Sequence, residues 1–406
     1  MTSNKPRRIV FVSYNYWPPD FGGELLLSIE RLHALAERGF DITVLTSGRP
    51  GFSDHQIDRK VAIHRSRLVG TSRLARLLRR IVFIVWAGWR LFRSPMDVVH
   101  VGDLPGIDFA TSTIVLWVWA RIARRHRAYT MIANSLADSP TEYFKTKGWQ
   151  GWWRSNLFRV VDKVVSNSPA LQQSVESVLP NKSELIVNGV REDYICRVTE
   201  DERQRLRTEA GITDKDAVVF VFVGSVGRRK GFDTLAEAFS ELVVDHPGWH
   251  LWVVGPYTTV QSQNINLQEV ADVTRPLARL EARVTFWGRI DDRMHLRDLI
   301  AAADVFVFPS RLEGLGVAPL EAMATGRPLI ISRIPGVTDL ANIDGQTGLF
   351  IQPGDTQGLK HAMLKLGELP ELRRQMGAAA RQRIIEAFSW EAYLKKWEIL
   401  YSRNSD

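Results

Sequence analysis

The chain has 406 residues, 45% hydrophobic and 24% charged, which excludes general disorder and a single small core and favours two or three domains. Its 53 basic and 45 acidic residues leave a net charge of +8, a balance that permits phosphates, nucleic acid or anionic lipid as partners. The single cysteine, Cys196, excludes an intrachain disulfide, has no nucleophile motif around it and points to a reducing, cytoplasmic compartment.

Lys5, Arg7 and Arg8 precede the apolar run Ile9-Val10-Phe11-Val12. Four apolar residues are too few for a signal-peptide core, which needs about 7 to 15, so the run reads as a first buried strand. Strand-like runs follow as DITVL from Asp41, DVVHV from Asp97, YTMIA from Tyr129, KVVSNS from Lys163 and ELIVNGV from Glu184. A second series comprises VVFVFV from Val218, LWVVG from Leu251, VTFWG from Val284, VFVFP from Val305 and LIIS from Leu329. Continuous Val, Ile and Phe runs separated by helical patterns indicate parallel strands covered on both faces. After Gly231, residues Phe232, Leu235, Ala236, Phe239, Leu242 and Val243 fall on one helical face. Two such series predict an α/β chain of two Rossmann-like domains, with ligand gathered at the carboxyl ends of the strands. The expected division is 1–195 for the first domain, 196–385 for the second and 386–406 for a helix crossing back to the first. The apolar runs 81–89 and 109–120 fall short of the roughly 20 residues that span a bilayer, so the chain reads as soluble or peripheral.

The densest chemical signal is FPSRLEGLGVAPLEAMATGRP, residues 308–328. A strand ends at Pro309, a loop carries Glu313, Gly314 and Gly316, and a helix is expected near Pro319 with Glu321 in its first turn and Gly326 at its end. Glycines let backbone N–H groups approach an anion, and a carboxylate can accept from both hydroxyls of a diol. A second loop, FVGSVGRRKGFDTL, places Arg228, Arg229 and Lys230 beside a helix N-terminus, where cations can neutralise a diphosphate. A third, YWPPDFGGELLL, puts Gly22-Gly23 between the first strand and the first helix.

Glu313 and Glu321, with seven residues between them, resemble the acidic signature of the family-4 glycosyltransferases, the retaining group with the GT-B fold. VTFWGRI, LIAAADVFVFPS, EGLGVAPLEAMATGRPLI, GQTGLFIQPGD and FSW occur in that family's usual order, across nearly all of the C-terminal half. The N-terminal half matches more loosely. The resemblance implies two facing Rossmann-like domains and transfer of a sugar from a nucleotide-diphosphate sugar, with retention by front-side attack. Lys230 would hold the diphosphate, Glu313 the donor sugar and Glu321 the ribose, with Gly224, Ser225, Gly314, Leu315, Gly316 and Val317 around the donor. Arg289 would lie near the base, and Gly22-Gly23 would approach the phosphates from the other domain. Ser225 stands where relatives carry an Arg, and Arg229 or Arg228 is the candidate replacement. Ala133 stands where many carry a His; Asn134 and Asp138 follow it, to orient a substrate or to shape the loop.

No His or Cys ligand set clusters in the sequence, and neither a cofactor nor a metal is expected. Residues 71–95 hold six arginines and no acid around IVFIVWAGW, and GWQGWWRSNLFR follows from Gly148. Such composition suits either an interfacial helix at the inner face of a plasma membrane or a core helix with a solvated basic face. No nucleic-acid module is recognisable. The acceptor is therefore expected to be a glycan or lipid-linked intermediate. The alternative is a non-catalytic sugar-nucleotide or glycan-binding protein on the same fold.

Overall fold

Apolar strands too hydrophobic to face water on either side set the architecture. The computed structural model describes residues 7–14, 16, 23–48, 51–67, 73–93, 96–101, 127–132, 162–195, 198–258 and 265–403, with backbone alone at 24, 73–77 and 127–132. Gly22, Ala133, Asn134, Asp138, Cys196 and the tryptophan cluster from Gly148 lie outside the described residues. The chain divides into two compact units, Met1–Val187 with Glu391–Asp406, and Asn188–Trp390.

The first unit contains β1 (Arg8–Val12), α1 (Gly23–Glu37), β2 (Asp41–Thr46), β3 (His55–Asp58), β4 (Val61–Arg65), α2 (Arg73–Arg93), β5 (Val98–Val101), β6 (Arg127–Ile132), β7 (Lys163–Ser166), α3 (Pro169–Val178) and β8 (Ser183–Leu185). They form one sheet in the order β3-β4-β2-β1-β5-β6-β7-β8, parallel except for β3. Ile9–Val12 of β1 and all of β5 are buried, as continuous apolar runs require. The β3–β4 hairpin has no counterpart among the expected strands, because HQID and VAIHR carry polar residues where a buried strand would be apolar. The strand expected from Glu184 is only three residues long. Its continuation, Asn188-Gly189-Val190, already belongs to the second unit, where Val190 N–H donates to Phe388 O at 2.8 Å. The unit boundary therefore falls before Asn188 and not after Ile195, and the return to the first unit comes at Glu391, later than residue 386.

The second unit begins its regular structure with α4 (Glu200–Glu209), β9 (Val218–Val223), α5 (Phe232–Asp245), β10 (Trp249–Val254), α6 (Leu267–Thr274), β11 (Val284–Gly288), α7 (Arg293–Ala302), β12 (Val305–Phe308) and α8 (Val317–Ala324). It continues with β13 (Leu329–Ser332), β14 (Gly348–Ile351), α9 (Thr356–Glu368) and α10 (Pro370–Ala387). Six strands, all parallel, run in the order β11-β10-β9-β12-β13-β14. Strand order reverses between β9 and β12, so the loops leaving their carboxyl ends flank a topological switch point. All six apolar positions expected on the face of α5 are buried against this sheet.

At the opposite, amino end of the sheet, Asp304 is a charged hub. Arg207, 1% exposed, donates to Asp304 Oδ2 at 2.7 Å, and Arg203 to Oδ1 at 2.6 Å. Val219 N–H donates to the same carboxylate at 2.7 Å. The remaining Arg207 nitrogens reach Ala302 O and Ala217 O at 3.2 and 2.9 Å. Burial, helped by the nearby Arg203 charge, pushes the Arg207 guanidinium below its ordinary value, opposed by Asp304. Removing one partner of such a pair costs about 3–5 kcal/mol, because the other charge stays dehydrated. Asp304→Ala should therefore lower the unfolding free energy of the second unit by about that amount, read from urea denaturation.

The last helix, α11 (Trp390–Ser402), packs within the first unit. Trp397 and Tyr401 are fully buried; the Arg31 guanidinium lies 3.9 Å from the Trp397 ring centroid and donates to Tyr393 Oη at 3.1 Å. Arg38 reaches Glu398 at 2.8 Å, and Arg403 takes Glu184 through two nitrogens at 2.9 and 3.0 Å. His100 is wholly buried, stacked on Trp397 and bonded through Nδ1 to Tyr401 Oη. Its role is to fasten α11.

Desolvation, then the nearby Arg31 charge, holds the His100 imidazole well below its ordinary value of 6.5. The unfolded chain therefore binds a proton that the folded chain refuses, and stability drops as pH falls below about 6.5. Between about pH 7.5 and pH 5 the melting temperature should fall, and fall less in His100→Gln, which cannot take the proton.

Candidate functional site

The site is built from two loops that leave the switch point. The first runs from Gly224, at the end of β9, through Ser225 to Lys230; the second runs from Pro309, after β12, to Gly316. Gly231 caps α5 in the left-handed region (φ 67°), and a Cβ there would drive into the Pro309 carbonyl. Only glycine lets the two loops approach so closely. Arg311 N–H donates to Arg229 O at 3.0 Å, tying them backbone to backbone.

At their junction lies Glu313, 6% exposed. Its Oε1 forms an ion pair with Lys230 Nζ, accepts from Ser310 Oγ at 3.0 Å and lies 3.7 Å from Arg229 Nη1. The Lys230 ammonium also sits 4.9 Å from the Phe308 ring centroid, over its face. A buried carboxylate survives only when paired and hydrogen-bonded, and this one is both. Of the two arginines offered as replacement for the charge absent at Ser225, Arg229 is the one beside Glu313, and it is half exposed. Arg228 points elsewhere: its guanidinium faces Asp233 at 3.4 Å and its backbone N–H donates to Glu269 at 2.7 Å.

Glu321 departs from the expected placement. Helix α8 begins at Val317, with Gly316 as its cap and Pro319 inside the first turn, so Glu321 falls in the second turn, away from the helix start. The dipole is therefore not its main support. Glu321, 3% exposed, is ion-paired to Arg293 at the start of α7. The Arg293 guanidinium in turn lies 5.2 Å over the Tyr194 ring, and Tyr194 Oη donates to Arg293 O at 3.3 Å. Gly326 does end the helix in the left-handed region expected of it (φ 77°). Asn188 Nδ2 donates to Leu315 O at 3.1 Å, steadying the loop between the acids.

Lys230 and Glu313 thus meet directly, while Glu321 answers to a different cation. Gly314, Leu315, Gly316 and Val317 link the two acids, and Arg289 follows β11 at the same end of the sheet, its Nε 2.7 Å from Asp291 Oδ1. Gly23 opens α1 in the first unit. Sequence reasoning missed Ser310, Arg293 and Tyr194. Ser310 could have been found as the polar residue between strand end and acid; Arg293 and Tyr194 are far from Glu321 along the chain and carry no motif. Among the described residues, no three His, Cys, Asp or Glu side chains cluster as a metal-ligand set.

Two family models match the chain: one described as glycosyltransferase family 4, over residues 29–194, and one as glycosyl transferases group 1, over residues 217–368. The chain is 28% identical over 386 residues to the lipopolysaccharide core biosynthesis glycosyltransferase LpsE of Rhizobium meliloti, covering 94% of this chain and 96% of that protein. Its fold matches sucrose-phosphate synthase from Thermosynechococcus elongatus with a TM-score of 0.79, at 22% identity, over 97% and 98% of the two chains. Anabaena HepE, solved in complex with UDP-glucose, matches with a TM-score of 0.76 at 18% identity, over 98% of this chain and all of that one. These matches agree with the two acids, the cationic loop and the two largely parallel sheets in a single conclusion: the chain belongs to the group 1 glycosyltransferases and is an enzyme of that kind.

Proposed function

We propose that the enzyme moves a sugar, with retention, from a nucleotide-diphosphate sugar to the hydroxyl of a lipid-linked or surface-polysaccharide intermediate at a membrane surface. The observation that carries this reading is the Lys230–Glu313 ion pair at the switch point, with Arg229 alongside. Lys230 and Arg229 would take the diphosphate, and Glu313 would accept from hydroxyls of the donor sugar. Glu321, held by Arg293, would accept from the ribose. As the bond from anomeric carbon to diphosphate oxygen breaks, negative charge grows on the leaving group, and fixed cations there lower the barrier without reorganising. The acceptor oxygen bonds to the same face of the anomeric carbon, and its proton leaves with the departing diphosphate. On this reading the cations do what a divalent metal does elsewhere.

The likeness to LpsE and to HepE, the latter solved with UDP-glucose, supports the donor class and the glycan setting. The basic helix α2 supports the membrane setting.

Glu313→Gln keeps the shape but removes the charge that holds Lys230, and should lower nucleotide release from the accepted donor sugar by about 100-fold or more. Release at the wild-type rate from a panel of donors would remove Glu313 from the site. Nucleotide release should also continue undiminished after dialysis against a chelator; loss restored by a divalent cation would assign the neutralising role to a metal.

A further inference from the structure

Helix α2 has two apolar faces. Phe83, Ala87 and Leu91 are buried against the sheet of the first unit. Leu78, Ile81, Val85, Trp89 and Phe92 point the other way and are between 43% and 66% exposed. At 3.6 residues per turn these five fall within an arc of about 80°, a stripe running along the outer side of the helix. Scattered exposed apolar residues need no explanation, but a continuous stripe on one helix does.

The charge around the stripe identifies what covers it. Residues 71–95 contain six arginines and no acid. Arg80 and Arg93 are exposed, and Arg93 lies 5.0 Å from the Trp89 ring centroid, with Arg90 5.6 Å from that of Trp86. Guanidinium groups standing over tryptophans at the margin of an apolar stripe match the interface of a bilayer, where rings sit at headgroup depth and cations meet lipid phosphate. A second copy of the same face would bring arginines against arginines. Among the described residues no helix is long and apolar enough to cross a membrane, which leaves α2 to lie along it.

We propose that the outer stripe of α2, formed by Leu78, Ile81, Val85, Trp89 and Phe92, docks the enzyme onto an anionic phospholipid bilayer, with Arg80 and Arg93 on the lipid phosphates. This deepens the membrane setting proposed above by naming the surface and the lipid charge it requires.

The test is flotation of the full chain with phosphatidylcholine vesicles, with and without phosphatidylglycerol. The wild type should float with the anionic vesicles, release in high salt and ignore the neutral ones. The bound-to-free ratio should fall about tenfold or more in Val85→Asp/Trp89→Ser, and by roughly fivefold per arginine in Arg80→Gln/Arg93→Gln. Because these side chains lie outside the core, melting temperature and nucleotide release in solution should stay at wild-type values. Three results would overturn the assignment: equal flotation of Val85→Asp/Trp89→Ser and wild type, a wild-type dimer that dissociates in that variant, or a lowered melting temperature indicating that the chain itself packs on the stripe. Intact flotation without nucleotide release from any donor would instead sink the transfer reading and leave the docking surface standing.

Discussion

A dehydrated carboxylate has to be surrounded, and the second unit is arranged around that requirement. Glu313 has almost no access to water, so Lys230, Ser310 and Arg229 must converge on it from two loops. That convergence is possible because β9 and β12 are neighbours at the point where strand order reverses, and because Gly231 leaves room for the Pro309 carbonyl. The constraint fixes the position of an ammonium group at the carboxyl end of the sheet before any ligand arrives. An anion entering there meets charges already oriented, which is the condition for strong electrostatic stabilisation.

The same logic recurs at two further acids with little access to water, each time with a different solution. Glu321 uses a guanidinium that is itself stacked on Tyr194, so the flat Arg293 is braced on its face and along its edge. Asp304 serves two arginines and a backbone N–H at the amino end of the sheet, far from any strand terminus suited to ligand. Charge is buried at both ends of the sheet, but only at the carboxyl end do glycine-rich loops give a ligand access to it.

Much of this was legible along the sequence, and the reasons are local. Continuous runs such as VVFVFV have only one way to hide both faces, so β9, β10, β12 and β13 follow from composition and the helix after Gly231 from spacing. Glu313 and Lys230 were identifiable because acid and cation each sit a few residues past a buried strand. The β3–β4 hairpin was not, since its polar residues mimic a loop, nor was the short β8, whose apolar continuation serves the other unit. The start of α8 was misplaced because Pro319 is as welcome in the middle of the first turn as at its beginning. Arg293 and Tyr194 illustrate the deeper limit: ion pairs between distant segments are properties of topology, and no spacing rule encodes them.

The way α11 is fastened has a bearing on how the molecule is made. His100 and Arg31 are translated early, but the ring that stacks on both of them, Trp397, is translated only after the whole of residues 188–390. On the ribosome, the later unit can finish its sheet while His100 and Arg31 of the earlier one still lack the ring that covers them. The first unit is thereby completed only after all of residues 188–390 have been made, and a nascent chain stalled before α11 would present an unfinished surface to chaperones and proteases.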